Sequence, residues 1–150
     1  ASRIAVAPAS PVTAFFESTP SDLRGFGVLF PRGVGVAALG VRFNNDIFAG
    51  RGTLRSETWI YAGGSADAAT LTAVLRSDRR VVTGVDVAPV AVYPTIWPEA
   101  IPVYNLAVLD AAKALLTLPP WLAVAGNYLG KIGVAGLLDV ASDAAARVAR

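Results

Sequence analysis

The stretch Trp121–Arg150, WLAVAGNYLGKIGVAGLLDVASDAAARVAR, constrains the fold more than any other, because it reads as a strand, a glycine-spaced loop and a helix. Leu122 to Ala125 form a short apolar run that enters Gly126. Asn127, Tyr128, Gly130, Lys131 and Gly133 follow as a polar loop, and helical periodicity begins near Val134. Val134, Leu137, Leu138, Ala141, Ala145 and Val148 fall on one face, with Asp139, Ser142, Asp143, Arg147 and Arg150 on the other. The glycines let such a loop turn tightly and approach a ligand closely. Backbone N–H groups at the helix start, from Gly133 to Gly136, suit a phosphate or a partly anionic ring oxygen. The spacing is not the G-x-G-x-x-G dinucleotide fingerprint, and such a stretch taken alone more often means a plain strand–loop–helix connection than a ligand site.

Composition narrows the chemistry. Hydrophobic residues make up 54% of the 150 residues and charged ones only 16%, against about 25% in an ordinary soluble domain. Mean hydropathy is +0.53, so the chain is either deeply buried in something larger or exposes apolar surface. A membrane span needs about 18 or more uninterrupted apolar residues. The uncharged segment from Ala114 to Gly130 is broken by Pro119, Pro120, Gly126 and Asn127. A net charge of +2 does not imply nucleic acid, and the absence of His and Cys removes imidazole bases, thiol nucleophiles, disulfides and the usual zinc ligands. The N-terminal residues lack the order of a secretory signal, which gives a cytoplasmic expectation with peripheral membrane attachment left open. The absence of Met fits a processed chain or a fragment.

In chain order, Val12 to Phe16 reads as an edge strand and Phe26 to Phe30 as a short strand. A turn at Pro31–Gly33 leads in a hairpin-like connection to Val36–Phe43, and Glu57–Ala62 reads as a further strand. Ser65 is a candidate cap for a helix carrying Ala66, Ala69, Leu71, Val74 and Leu75, and Ser77–Asp78 could begin a second helix closed by Gly84. Val87–Tyr104 is apolar but carries four prolines, so a strand is expected near Val90–Trp97, followed by a kinked extended passage. Asn105 caps a helix whose expected buried stripe is Leu106, Leu109, Ala112, Leu115 and Leu116. The expected fold is α+β in one domain: an antiparallel or mixed sheet with helices packed on one side, ending in the strand–loop–helix unit.

Five blocks carry a resemblance: GFGVLFP (Gly25–Pro31), ALGVRFNNDIFAGR (Ala38–Arg51), ETWIYAGG (Glu57–Gly64), WPEAIPVY (Trp97–Tyr104) and GNYLGKIGVAGLLDVASDAAARV (Gly126–Val148). In this order they resemble the C-terminal portion of the flavin-dependent amine oxidase superfamily, nearest its protoporphyrinogen oxidase and phytoene desaturase-like members. The resemblance implies a substrate domain whose last block returns to FAD. Gly126, Asn127, Ile132, Gly133 and Val134 would then contact the cofactor through their backbone, and Trp97 and Tyr104 would face substrate. Lys131 departs from the small residue common at its position, and no His follows the proline–tyrosine segment. The N-terminal Rossmann unit that binds the ADP half of FAD is not in this chain. The expected partner is therefore an N-terminal FAD-binding portion of the same or a split enzyme, alongside a small organic substrate and a homo-oligomer as an open option. The contrasting expectation is a non-catalytic binding or assembly module that keeps the fold without the cofactor half.

Other residues have blander readings. From the residues alone Trp97 and Tyr104 read as core aromatics before substrate contacts, and Trp59 and Tyr61 share one strand face as core or interface. Arg79 and Arg80 read as a solvated helix end, and Arg51, between two glycines, is a weak candidate for contact with an anion.

Overall fold

Alternation dictates the first strand. From Ser10, every second residue (Ser10, Val12, Ala14, Phe16) turns inward, as a pleated chain with one covered face requires. The computed structural model describes residues 4–17, 23–63, 67–129 and 133–149. They divide into two compact units, Pro8–Pro98 and a second made of Ala1–Ala7 with Glu99–Arg150. The strands are β1 (Val6–Phe16), β2 (Gly27–Leu29), β3 (Gly40–Phe43), β4 (Arg55–Ala62), β5 (Ala91–Pro94) and β6 (Trp97–Pro102). The helices are α1 (Asn44–Ile47), α2 (Ala68–Thr83), α3 (Leu106–Leu115) and α4 (Gly133–Val148), with a 3-10 turn at Asn127–Leu129. The fold is α+β, as the sequence implies.

The sheet runs β2-β3-β4-β1-β5, and β6 also pairs with β1. β1 is antiparallel to β4 from Ala9↔Ala62 to Phe16↔Arg55, and to β5 from Val12↔Pro94 to Phe15↔Ala91. β1 is thus a central strand, not the expected edge. Its prolines are tolerated because Pro11 lies where the neighbouring strand is interrupted between β5 and β6. The Pro11 carbonyl still accepts from Thr95 N–H at 2.9 Å, so only the missing donor is lost.

The expected hairpin is present, but its second strand begins only at Gly40. β2 and β3 approach so closely that a Cβ on Gly27 would lie 2.1 Å from the Val41 carbonyl oxygen, and one on Gly40 2.8 Å from that of Val28. The proline-rich passage forms β5 and β6 with a break at Thr95–Ile96, extending the strand content further than the expected Val90–Trp97.

In the unit Pro8–Pro98, α2 covers the inward face. Leu71 and Leu75 join Val12, Ala14, Phe16, Val41, Phe43, Trp59 and Tyr61 in one core. The helix is single, not two. Asp67 is its N-cap, accepting from Thr70 N–H at 2.9 Å, and Gly84 closes it at φ +72°. The expected cap, Ser65, lies outside the described residues. Asp78 starts no new helix. It is buried mid-helix, where its carboxylate accepts from Ala37 N–H at 3.0 Å and Ala38 N–H at 2.9 Å and ties the loop before β3 to α2.

Arg79 is likewise not a solvated helix end. It is 1% exposed, its Nε lies 3.2 Å from Glu57 Oε2, and its guanidinium sits 3.8 Å from the Phe16 ring centroid. Glu57, 2% exposed, also accepts from Trp59 Nε1 at 3.1 Å and lies 3.6 Å from Arg55 Nε; Arg55 in turn meets Asp46 at 2.8 Å. Trp59 and Tyr61 are core. Burial, and after it the charge of Asp78, holds the Tyr61 hydroxyl far above the ordinary phenol range.

Candidate functional site

In the second unit, Asn105 caps α3 as expected, its Oδ1 accepting from Ala107 N–H at 3.0 Å. The buried stripe differs from the expected one. Val108 is the buried residue of α3, while Leu106, Leu109 and Leu116 are exposed. On α4 the inward residue is Val140. Val134 (77% exposed), Leu138 (64%), Ala141, Ala145 and Val148 line a separate exposed face at helical spacing. This unit thus leaves an apolar helix face uncovered. Arg147 ties α4 to the end of α3, donating to the carbonyls of Leu115 (3.1 Å) and Leu116 (3.3 Å).

The segment before α4 is not the expected strand. Residues 122–125 pair with no strand, and Pro119 and Pro120 immediately before them supply no donors. Leu122 N–H instead closes a turn onto the Pro119 carbonyl at 2.9 Å. The loop then makes the 3-10 turn, with Leu129 N–H donating to the Gly126 carbonyl at 3.2 Å. The Tyr128 ring lies against Gly126, since a Cβ there would meet Tyr128 Cε1 at 2.3 Å.

Gly133 opens α4 at φ +85°, a left-handed conformation that favours glycine, and the space where its Cβ would stand is open. No acidic residue lies in the first turn of α4, so the positive end of its dipole meets no carboxylate from its own helix. Val134 follows, exposed. Ile132, with Gly130 and Lys131, lies outside the described residues.

Tyr104 joins two parts of the expected site. Its hydroxyl donates to the main-chain carbonyl of Asn127, which brings a residue expected at substrate onto the loop expected at the cofactor. Gly126 and Asn127 are therefore held by Tyr104 and Tyr128, while the Cβ space at Gly133 is open and Val134 is exposed. Trp97 begins β6 and is 55% exposed; it belongs to the unit Pro8–Pro98 and is not a core aromatic.

Over 142 residues, the chain is 32% identical to protoporphyrinogen oxidase 1, chloroplastic, of Spinacia oleracea, an alignment that takes in 85% of the chain and 25% of that protein. The chain is a homologue of protoporphyrinogen oxidases. It is 29% identical over 145 residues to the corresponding Arabidopsis thaliana protein, and 30% identical over 145 residues to the mitochondrial protoporphyrinogen oxidase of Nicotiana tabacum. It spans about a quarter of the length of these relatives, covering 25%, 26% and 28% of them. No family model matches the chain.

Among solved structures, a protein provisionally named protoporphyrinogen oxidase from Exiguobacterium sp. 255-15 superimposes with a TM-score of 0.74 at 13% identity, covering 99% of this chain and 36% of that one. Reduced UDP-galactopyranose mutase superimposes with a TM-score of 0.60 at 7% identity, over 74% of this chain and 25% of that one. At these identities the likeness is one of fold. Among the described residues no helix is long and apolar enough to cross a membrane.

Some site features carry no signal in a single sequence. Tyr104 and Asn127 are separated by 23 positions, and nothing in their identities announces a hydrogen bond. The buried Glu57–Arg79 pair is masked in the same way, because Arg79 beside Arg80 at a helix end looks solvated until the helix is placed on the sheet.

Proposed function

We propose that the chain is the C-terminal, substrate-domain portion of an FAD-dependent oxidoreductase of the protoporphyrinogen oxidase type, completed by an N-terminal FAD-binding portion. One observation carries this reading: 85% of the chain aligns with protoporphyrinogen oxidases that are about four times the length of the aligned part. The uncovered apolar face of α4 supports it, since Val134, Leu138 and Val148 would be covered by the portion that supplies the rest of the flavin site.

The residues at the start of α4 fit the group. Gly133 leaves open space where a Cβ would stand, the first turn of α4 carries no acid to repel an anion, and the amides of a helix N-terminus would donate to the group. Gly126, Asn127, Gly133 and Val134 would hold one edge of the cofactor, with Ile132 between them in sequence. When bound, FAD supplies the two-electron acceptor for oxidation of a small organic substrate. The chain's own contribution is positional. Tyr104 fixes the Asn127 carbonyl and with it the loop, and the exposed Val134 side chain would exclude water from the cofactor edge. Trp97 and Tyr104 are the aromatic residues proposed for substrate contact.

The test mixes the purified chain with the N-terminal portion encoded with it and measures flavin absorbance in the co-eluting complex. A complex that retains FAD, where neither part alone does, supports the reading. A stable complex that takes up no FAD overturns it in favour of a non-catalytic assembly module.

A further inference from the structure

Side chains, more than backbone, fix the loop that enters α4. Residues 122–125 pair with no strand and follow two prolines that supply no donors, so the chain reaches Gly126 without a ladder to set its position. The loop then makes one 3-10 turn over Asn127–Leu129, closed by Leu129 N–H on the Gly126 carbonyl at 3.2 Å. A lone turn of this kind, with its poorer hydrogen-bond geometry, holds weakly by itself.

Three side chains brace it. Tyr104 donates to the Asn127 carbonyl. Leu129, half-buried, shares the lining of the cleft between α3 and α4 with Leu115, Leu116 and Val140. Tyr128 folds back along the entering chain, its ring over Gly126 and its hydroxyl 3.5 Å from the Ala125 carbonyl oxygen. A Cβ on Gly126 would stand 2.3, 2.9 and 2.9 Å from Cε1, Cδ1 and Cζ of that ring, so a side chain at 126 and a packed ring at 128 exclude one another.

Gly126 and Gly133 are thus glycine for different reasons. At Gly133 the left-handed backbone selects glycine and the Cβ space is empty. Gly126 is not left-handed, and its Cβ space is taken by the chain's own tyrosine. A glycine kept for the close approach of a ligand on that side would need the space open.

We infer that Tyr128 is a positioning residue for the cofactor loop. Its ring, and not a closely approaching ligand, requires glycine at 126, and by packing there it sets the backbone of Gly126 and Asn127. The identity of the ligand rests on the flavin reading above; the packing of the ring does not.

Two measurements on four chains test this: the unsubstituted chain, Gly126→Ala, Tyr128→Ala and the double variant. Hydrogen exchange of the full chain without flavin reads the turn at Leu129 N–H, and FAD titration of each chain assembled with the N-terminal portion reads the site. Each single variant should speed Leu129 exchange and weaken FAD by about fivefold to tenfold, the scale of one lost aromatic packing contact. The double variant should be no worse than Tyr128→Ala, because both changes remove the same contact. Close approach of FAD to Gly126 predicts instead that Gly126→Ala weakens FAD equally with and without the ring. Tyr128→Phe keeps the ring and loses only a hydroxyl at the outer limit of a hydrogen bond, so it should match the unsubstituted chain in both measurements. Losses that multiply in the double variant, or unaltered exchange in Tyr128→Ala, would overturn the inference. So would faster exchange with unaltered FAD affinity, which leaves the ring a structural role only. An unsubstituted assembly that takes up no FAD would sink the flavin reading, and the exchange cycle alone would then decide whether the ring holds the turn.

Discussion

Replacing Glu57 by Gln should destabilise the unit Pro8–Pro98 more than the loss of any single hydrogen bond would. The Glu57 carboxylate is the only acid paired with Arg79 among the described residues, and both side chains are almost wholly shielded from water. Without that charge, the Arg79 guanidinium stays buried with two terminal nitrogens that have no hydrogen-bond partner among the described residues. The Phe16 ring beneath it offsets only part of the cost, on the order of 2 kcal/mol for a desolvated contact. Arg55 suffers less because Asp46 remains beside it at 2.8 Å. Breaking a buried pair from one side typically costs about 3–5 kcal/mol. With a urea slope of about 1.5 kcal/mol/M, the unfolding midpoint should fall by about 2–3 M. Urea unfolding followed by far-UV circular dichroism measures this directly. The decisive arm is the double variant Glu57→Gln with Arg79→Met, in which no charge of the pair is left stranded. It should recover at least half of the loss. Additive losses in the double variant would refute the claim that the stranded guanidinium dominates.

Three further outcomes are expected. Gly133→Val places a β-branched residue at φ +85°, a strain of about 1–2 kcal/mol or more, and should weaken FAD retention by the assembled complex; unchanged retention would remove the start of α4 from the cofactor site. Tyr104→Phe removes the donor to the Asn127 carbonyl, a net loss of about 0.5–1.5 kcal/mol, and should speed hydrogen exchange at Leu129 N–H while leaving the exchange of α2 unaltered. The Asp67 carboxyl is held below its ordinary range by the Thr70 N–H and then the Thr70 hydroxyl. A lowered folded-state pKa means that its contribution is complete above about pH 4–5 and is lost as pH falls through the folded value. Asp67→Asn, which still caps but does not titrate there, should show a shallower loss of stability between about pH 5 and pH 2, and parallel curves would contradict this.

Much of the fold was legible because periodicity and punctuation are local properties. The inward series of β1, the Asn105 cap and the Gly84 stop each follow from a few neighbouring residues. Position within the sheet is not local. Pro8 and Pro11 argue for an edge strand when β1 is read alone, and only the interruption between β5 and β6 shows how a central strand tolerates Pro11. Asp78 misleads for a related reason: a carboxylate inside a helical run looks like a new start until the loop amides of Ala37 and Ala38 arrive from 40 and 41 positions away.

The helices of the second unit show why a site can be easier to locate than to orient. Periodicity places one apolar stripe on α4, Val134, Leu137, Leu138, Ala141, Ala145 and Val148, and omits Val140, the residue that is buried. Here α4 has two apolar faces, one around Val140 turned inward and one along Val134, Leu138 and Val148 left open. A sequence evolved to be covered on both sides gives a nearly continuous apolar pattern whichever side is covered within a given stretch of chain. The same holds for α3, where Val108 is inside while Leu106, at 76% exposure, is outside. The exposed stripes are therefore informative where the expected stripe fails. They start at Val134, beside the left-handed Gly133, so the surface that lacks a cover is contiguous in sequence with the loop proposed to meet the cofactor.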